Sequence, residues 1–195
     1  MSQAIKTVTI YGASSSKIDN IYINTAKELG KLLASHHIAC INGGGGSGIM
    51  GAITDSVLES GGKVTGIIPR FMVEEGWIHP GLTDVITTPD MHTRKKLMAE
   101  KADACVALPG GIGTLEELLE IITWKQLGLY NNPIILLNTN GYYSDLLAML
   151  ARCMKEKFMH SDLRFLWNTA RTAQETLEML FSCSTTENSR SLAAL

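Results

Sequence analysis

The 195-residue chain carries 17 Lys and Arg against 19 Asp and Glu, and its 45% hydrophobic content suits one domain with a substantial core. The net charge of −2 excludes a global field that would recruit nucleic acid or an anionic membrane, so any anion site must come from a local cluster. No apolar run reaches the roughly 20 residues of a membrane span, and "MSQAIKTVTIYG" lacks the basic start and long apolar stretch of a secretory signal.

Short apolar runs alternate with longer amphipathic ones. "KTVTIYGA" (6–13) reads as a strand and "DNIYINTAKELGKLLASH" (19–36) as a helix with apolar residues at helical spacing. "IACING" (38–43) is a strand, and "GGGSGIMGAITDSVLESGG" (44–62) a glycine loop, a helix and a glycine stop. "KVTGIIPR" (63–70) is a strand ended by Pro69, followed by a loop over 71–82. "TDVITTP" (83–89) is a short strand, "DMHTRKKLMAEKA" (90–102) a helix capped by Asp90, and "DACVALPGG" (103–111) a strand. "TLEELLEIITWKQLG" (114–128) is a helix that stops at Gly128, and "NPIILLNTNGY" (132–142) is a strand followed by a helix from about Ser144 to Lys157.

This alternation predicts an α/β fold, a parallel sheet with helices on both faces. In such folds ligands sit beyond the carboxyl ends of the strands. The chemistry should therefore lie in the loops after "IYG", "CIN", "IIP" and "ALP". Residues 1–181 are expected to form a single domain and 182–195, polar and poorly patterned, a flexible tail.

The four cysteines, Cys40, Cys105, Cys153 and Cys183, are scattered without a CxxC. Cys40 and Cys105 sit in apolar runs and read as small core residues. Reduced thiols in a cytoplasmic protein are the expectation. The five histidines show no metal-ligand spacing, and no metal or cofactor is expected.

Two glycine loops precede helices. "GSGIMG" (46–51) matches GxGxxG, yet it follows the second strand, and the next strand ends in "IIPR" with no acidic residue for a ribose hydroxyl. Dinucleotide binding is thereby disfavoured. Tight-turn packing and contact with a phosphate or sugar, through Gly44, remain the alternatives. Neither loop ends in Gly-Lys-Ser/Thr, which argues against Walker-type ATP chemistry. The second loop, "PGGIGT" (109–114), lets backbone N–H groups converge on an anion at a helix start. Thr114 can cap that helix, and Thr114-Leu115-Glu116-Glu117 also reads as a capping box with Glu117 reaching back. Glu117 thus has a purely local explanation beside a chemical one.

Arg94, Lys95 and Lys96 crowd the start of the helix that begins near Asp90, where cations oppose the helix dipole. Lys96 suits a solvated face. Three adjacent cations at that end make sense if an anion sits there, and the helix leads directly into the strand that delivers "PGGIGT". "FMVEEGWIHPG" (71–81) carries Glu74, Glu75, Trp77 and His79; it is either an exposed loop or a lid that places a carboxylate on a ligand hydroxyl.

Together, "MHTRK" (91–95) and "PGGIGTLEE" (109–117) resemble the two-part signature of the lonely-guy (LOG) family of cytokinin-activating enzymes, also labelled possible lysine decarboxylases. "YGASSS" (11–16), "INGGGGSGIMGAI" (41–53), "VTGIIP" (64–69), "ITWKQLG" (122–128) and "LLNTNGYY" (136–143) look like family segments in family order, so the resemblance covers most of the chain. It implies hydrolysis of the N-glycosidic bond of adenine-type nucleoside 5'-monophosphates to free base and ribose 5-phosphate. It also implies a Rossmann-like homodimer without a cofactor. The family's catalytic arginine falls on Arg94 and its catalytic glutamate on Glu117. Lys95 matches a substrate-contacting lysine, and the stretch Gly111, Ile112, Gly113, Thr114, Leu115, Glu116 and Glu117 matches the phosphate- and ribose-binding loop. Glu75 matches a substrate-binding glutamate. Ile112 replaces a tyrosine common in plant members, and Thr93 stands where many have Glu or Gln, which bears on base specificity.

The residues themselves suit that reaction. Breaking a ribosyl–adenine bond develops positive charge at the anomeric carbon, which a carboxylate can stabilise while orienting water. A pyridoxal-dependent decarboxylase would need a Schiff-base lysine, and nothing marks one. A nucleotide-binding carrier that does not cleave its ligand is the reading from a different functional class.

Overall fold

The computed structural model describes residues 4–160 and 165–185. The elements in chain order are β1 (Thr7–Tyr11), α1 (Asn20–Ser35), β2 (Ala39–Asn42), α2 (Gly48–Glu59), β3 (Val64–Pro69), α3 (Arg70–Glu74), β4 (Asp84–Thr88), α4 (Met91–Glu100) and β5 (Ala104–Ala107). After them come α5 (Ile112–Gln126), β6 (Ile134–Leu137), the 3-10 turn η1 (Thr139–Gly141), α6 (Ser144–Lys155), β7 (Asn168–Ala170) and α7 (Ala173–Thr185).

The strands form one parallel sheet in the order β4-β3-β2-β1-β5-β6-β7. Side chains alternate along each strand, and the two faces feed two separate cores. Val8, Ile10, Cys40, Ala104, Val106, Ile135 and Leu137 join α1, α2 and α7 on one face. Tyr11, Ile41, Cys105, Ala107, Ile134 and Leu136 join α4 and α5 on the other. Double coverage explains why "ACVA" and "IILL" are apolar throughout. Cys40 and Cys105 lie buried in this sheet, and burial pushes the Cys40 thiol up to about 12 and the Cys105 thiol upward as well.

The strand order reverses between β1 and β5, which pair in parallel from Val8↔Ala104 to Tyr11↔Ala107. That crossover opens the crevice in which doubly wound sheets hold ligands. It places the loops after Tyr11 and Ala107 side by side: the Ala13 N–H donates to the Pro109 carbonyl at 3.1 Å, and the Ala13 carbonyl accepts from Ile49 N–H at 2.9 Å, at the start of α2.

Three sequence expectations change. Residues 71–82 are not all loop, because α3 continues directly from β3 and Ile78 bridges back to Gly45. A seventh strand, β7, extends the sheet beyond β6, and α7 follows it; three residues of "NTA" are too short for a periodic signal. The expected tail from Ser182 begins too early, since α7 runs to Thr185; residues 186–195 lie outside the described residues. Among the described residues no helix is long and apolar enough to cross a membrane.

Candidate functional site

α4 begins where its cap is satisfied. Asp90 accepts the Thr93 N–H through Oδ1 at 2.7 Å, a bond to the ionised form that holds its carboxyl below the usual range. With Asp90 as cap, Arg94 and Lys95 fall in the second turn on the inward side, where both are buried. Lys96 points outward and pairs with Glu100 one turn on, as its solvated reading predicts.

α5 starts earlier than its sequence suggests. Its cap is Gly111, so the first turn is Ile112, Gly113 and Thr114, and no side chain caps it. The capping box is therefore overturned. Thr114 is buried with its side chain packed on Gly110, where a Cβ would come within 2.1 Å of Thr114 Oγ1. Glu117 lies a full turn inside the helix, 8% exposed, and cannot reach back to the cap.

Glu117 instead meets Arg94. The guanidinium Nη1 stands 3.0 Å from Glu117 Oε1. Arg94 is held from behind as well, donating through Nε to the Ile67 carbonyl at 3.1 Å. Its other edge lies against Gly43, where a Cβ would sit 2.1 Å from Nη2. Burial raises the Glu117 carboxyl above its ordinary value, Arg94 pulls it back, and the neighbouring Glu116 and Glu120 add to the rise.

Lys95 donates to both Glu116 and Glu120, the latter at 3.1 Å. Burial alone would lower its ammonium; the two carboxylates outweigh that and hold it above the usual lysine value. Glu116 and Glu120, which as bare like charges on one helix face gain nothing from each other, are thus joined through a shared cation. The two buried cations of α4 answer carboxylates of α5, not only an external anion. Fewer cations then remain for a phosphate, and the burden of binding one shifts to backbone N–H groups.

Those groups lie at the neighbouring turn. Ile112, at 83% exposed, and the flanking Gly111 and Gly113 are open, with nothing near the Cβ positions of the two glycines. Leu115 is half-buried, packed at the margin of the core beneath them. On the turn's inner side Tyr142 Oη donates to the Gly110 carbonyl and Tyr143 Oη to the Leu108 carbonyl, each at 2.6 Å. Spacing offered no signal for these two contacts, since they join residues more than thirty positions apart.

The first glycine loop is tied down on the opposite side of Arg94. Gly44 has φ +76, a left-handed geometry suited to glycine, and its N–H donates to Asn42 Oδ1 at 2.8 Å. The segment after α3 is stitched over this loop: the His79 N–H donates to the Gly44 carbonyl at 2.8 Å, and the Gly46 N–H to the Trp77 carbonyl at 3.1 Å. The His79 ring accepts from Gly81 N–H through Nδ1 at 3.0 Å and donates through Nε2 to Asp55 on α2 at 2.9 Å. Glu75 stands exposed as the C-cap of α3 at the near end of this strap, outside the buried cluster of Arg94, Lys95 and Glu117.

The buried ion pair, the open glycine turn and the strapped first loop converge at the sheet's crossover. Such a site can seat an anion on the turn and present a carboxylate of raised pKa to a group one turn away. Among the described residues no group of His, Cys, Asp or Glu could hold a metal ion.

Residues 50–180 match the family model described as possible lysine decarboxylase. The chain is 39% identical over 175 residues to the cytokinin riboside 5'-monophosphate phosphoribohydrolase LOG5 of Arabidopsis thaliana, covering 90% of this chain and 77% of that protein. Among solved structures it is similar to TM1055, a structural-genomics target, at 26% identity and TM-score 0.71, covering 91% of this chain and 99% of that one. It also shares its fold with the molybdenum cofactor carrier protein of Chlamydomonas reinhardtii, at 20% identity and TM-score 0.71, over 92% of this chain and 98% of the other. On the match to the family model and the identity across nine-tenths of its length, the chain belongs to the LOG family.

Proposed function

We propose that the protein hydrolyses the N-glycosidic bond of adenine-type nucleoside 5'-monophosphates, cytokinin riboside 5'-monophosphates and AMP among them, to the free base and ribose 5-phosphate. The observation that carries this reading is the buried Arg94–Glu117 pair one turn behind an open glycine helix start. The likeness to LOG5, named for that reaction on cytokinin nucleotides, supports it.

The 5'-phosphate rests on the N–H groups of residues 110–114 with the helix dipole behind it. Anchoring at this remote group places the anomeric carbon over Glu117. As the bond to the base lengthens, the Glu117 carboxylate stabilises the positive charge at that carbon and orients the attacking water. Water supplies the hydroxyl to the sugar and a proton to the departing base. Arg94 holds the ribose or the departing base, and its charge opposes the rise that burial imposes on the Glu117 carboxyl. Lys95 holds Glu116 at the edge of the loop, and Glu75 and Gly44 contribute from the strap and the first glycine loop. The enzyme works in the cytoplasm as a homodimer, a state that sedimentation of the purified protein checks.

Incubation with AMP and with isopentenyladenosine monophosphate, followed by chromatography, tests the assignment. Equimolar base and ribose 5-phosphate are expected. Nucleotide binding with no base released would overturn it in favour of a carrier. The 20% identity to the cofactor carrier speaks to fold and not to that role.

A further inference from the structure

The segment "NTNGYY" (138–143) follows β6 and contributes no side chain to the ion-pair cluster, yet both its tyrosines end on the phosphate turn. From this convergence we infer that Tyr142 is a positioning residue for phosphate recognition, its hydroxyl holding the Gly110–Gly111 peptide in the orientation that presents the Gly111 N–H to the ligand. The inference rests on the reading of that turn as the seat of the 5'-phosphate.

A trans peptide points its C=O and N–H in opposite directions. Fixing a carbonyl therefore fixes the N–H of the next residue. The Pro109 carbonyl is taken by the Ala13 N–H at 3.1 Å, which turns the Gly110 N–H away from β1. The Gly110 carbonyl is taken by Tyr142 Oη at 2.6 Å, which turns the Gly111 N–H away from that hydroxyl, in a turn where the Cβ positions of Gly111 and Gly113 meet open space. The Leu108 carbonyl is taken by Tyr143 Oη, also at 2.6 Å, so three successive carbonyls at the entry to α5 are each bound. A glycine turn without these bonds could rotate its peptide planes freely, because no Cβ restricts it.

The tyrosines are themselves fixed. Asn140 and Gly141 both have positive φ, at 52° and 72°, which makes the reversal that lays Tyr142 and Tyr143 side by side. Tyr143 N–H donates to Asn138 Oδ1 at 2.6 Å. The two rings pack edge to face at a centroid distance of 5.2 Å, and Tyr142 packs likewise on Tyr22 of α1 at 5.8 Å. Tyr143 is 1% exposed and serves the core, whereas Tyr142 is 42% exposed, so its hydroxyl can be removed with little disturbance of packing.

The test is Tyr142→Phe, which keeps the ring contacts and deletes only the hydroxyl. Inhibition by ribose 5-phosphate and KM for AMP are each expected to weaken about fivefold, the loss of one neutral hydrogen bond's worth of pre-organisation, with kcat within twofold of wild type. Binding of adenosine, which lacks the phosphate, should not change. Unaltered ribose 5-phosphate binding in Tyr142→Phe, or an equal weakening for adenosine, would overturn the inference, the second because it would mark a general structural defect. Titration of ribose 5-phosphate and adenosine by calorimetry reads the same contrast without turnover. Failure of the wild type to release base would count against the proposed reaction alone.

Discussion

The Arg94 guanidinium and the Glu117 carboxylate, on α4 and α5, meet at 3.0 Å with each side chain less than a tenth exposed. Burying two charges costs several kcal/mol per ion, and their attraction often only offsets it. A fold seeking stability alone would do as well with apolar residues there. A pair retained at the crossover of a parallel sheet, beside an open helix start, is where a carboxylate with a displaced pKa has work to perform.

Glu117→Gln tests whether the buried carboxylate carries the chemistry. Glutamine keeps the shape and a hydrogen bond to Arg94 but cannot carry the negative charge that the transition state needs. Base release is expected to fall by about 10²- to 10⁴-fold, with the circular dichroism of the folded protein retained. Turnover near wild type would remove Glu117 from the mechanism.

Arg94→Met should expose the cost of leaving Glu117 buried without its counter-charge, about 3–5 kcal/mol at neutral pH. The loss should depend on pH in a set direction. Burial already raises the folded-state pKa of Glu117, and without Arg94 it rises further. A group raised on folding favours the folded state below its unfolded value, and that contribution is lost as pH rises through the folded value. Urea unfolding is therefore expected to show a smaller deficit for Arg94→Met at pH 5 than at pH 8. Equal deficits at both would contradict this linkage.

The acid limb of kcat/KM against pH should lie above the ordinary glutamate value of 4.5, because the active form needs Glu117 ionised. Two neighbours should move it in opposite directions. Glu116→Gln removes a carboxylate that raises Glu117 and should shift the limb down; Lys95→Met removes a cation that lowers Glu117 and should shift it up. Parallel profiles for the two variants would show that the limb belongs to another group.

Gly43→Ala tests the wall behind Arg94. The new methyl would stand 2.1 Å from Nη2, so the guanidinium must leave its place, and the side chain is flexible enough to do so. Folding should survive while kcat drops at least about tenfold through misplacement of the charge. An unchanged kcat would mean that Arg94 tolerates displacement and is not positioned by this contact.

The architecture was largely legible in the chain. Runs such as "ACVA" and "IILL" are apolar on both faces because helices cover both, and Asp90 announces the start of α4 by a cap that forms as read. The start of α5 was not legible. Thr114 followed by Glu117 is a sound capping pattern, but with Thr114 packed on Gly110 the cap lies three residues earlier, at Gly111, and Glu117 is carried into the interior. Likewise α3, β7 and the strap through His79 are set by contacts with distant backbone, which no local periodicity encodes.

Local chemistry along the chain thus settled the alternation of strands and helices, the two glycine turns, the cap of α4 and the presence of a cationic run in α4 and an acidic run in α5, because each depends on neighbours within a few residues. Which cation meets which carboxylate was decided by the packing of α4 against α5 on one face of the sheet: Arg94 with Glu117, Lys95 with Glu116 and Glu120. So was the anchoring of the phosphate turn by Tyr142 and Tyr143. Charge pairing and carbonyl satisfaction in a buried site depend on distance and exclusion of water, and those exist only once α4, α5 and the end of β6 are packed together.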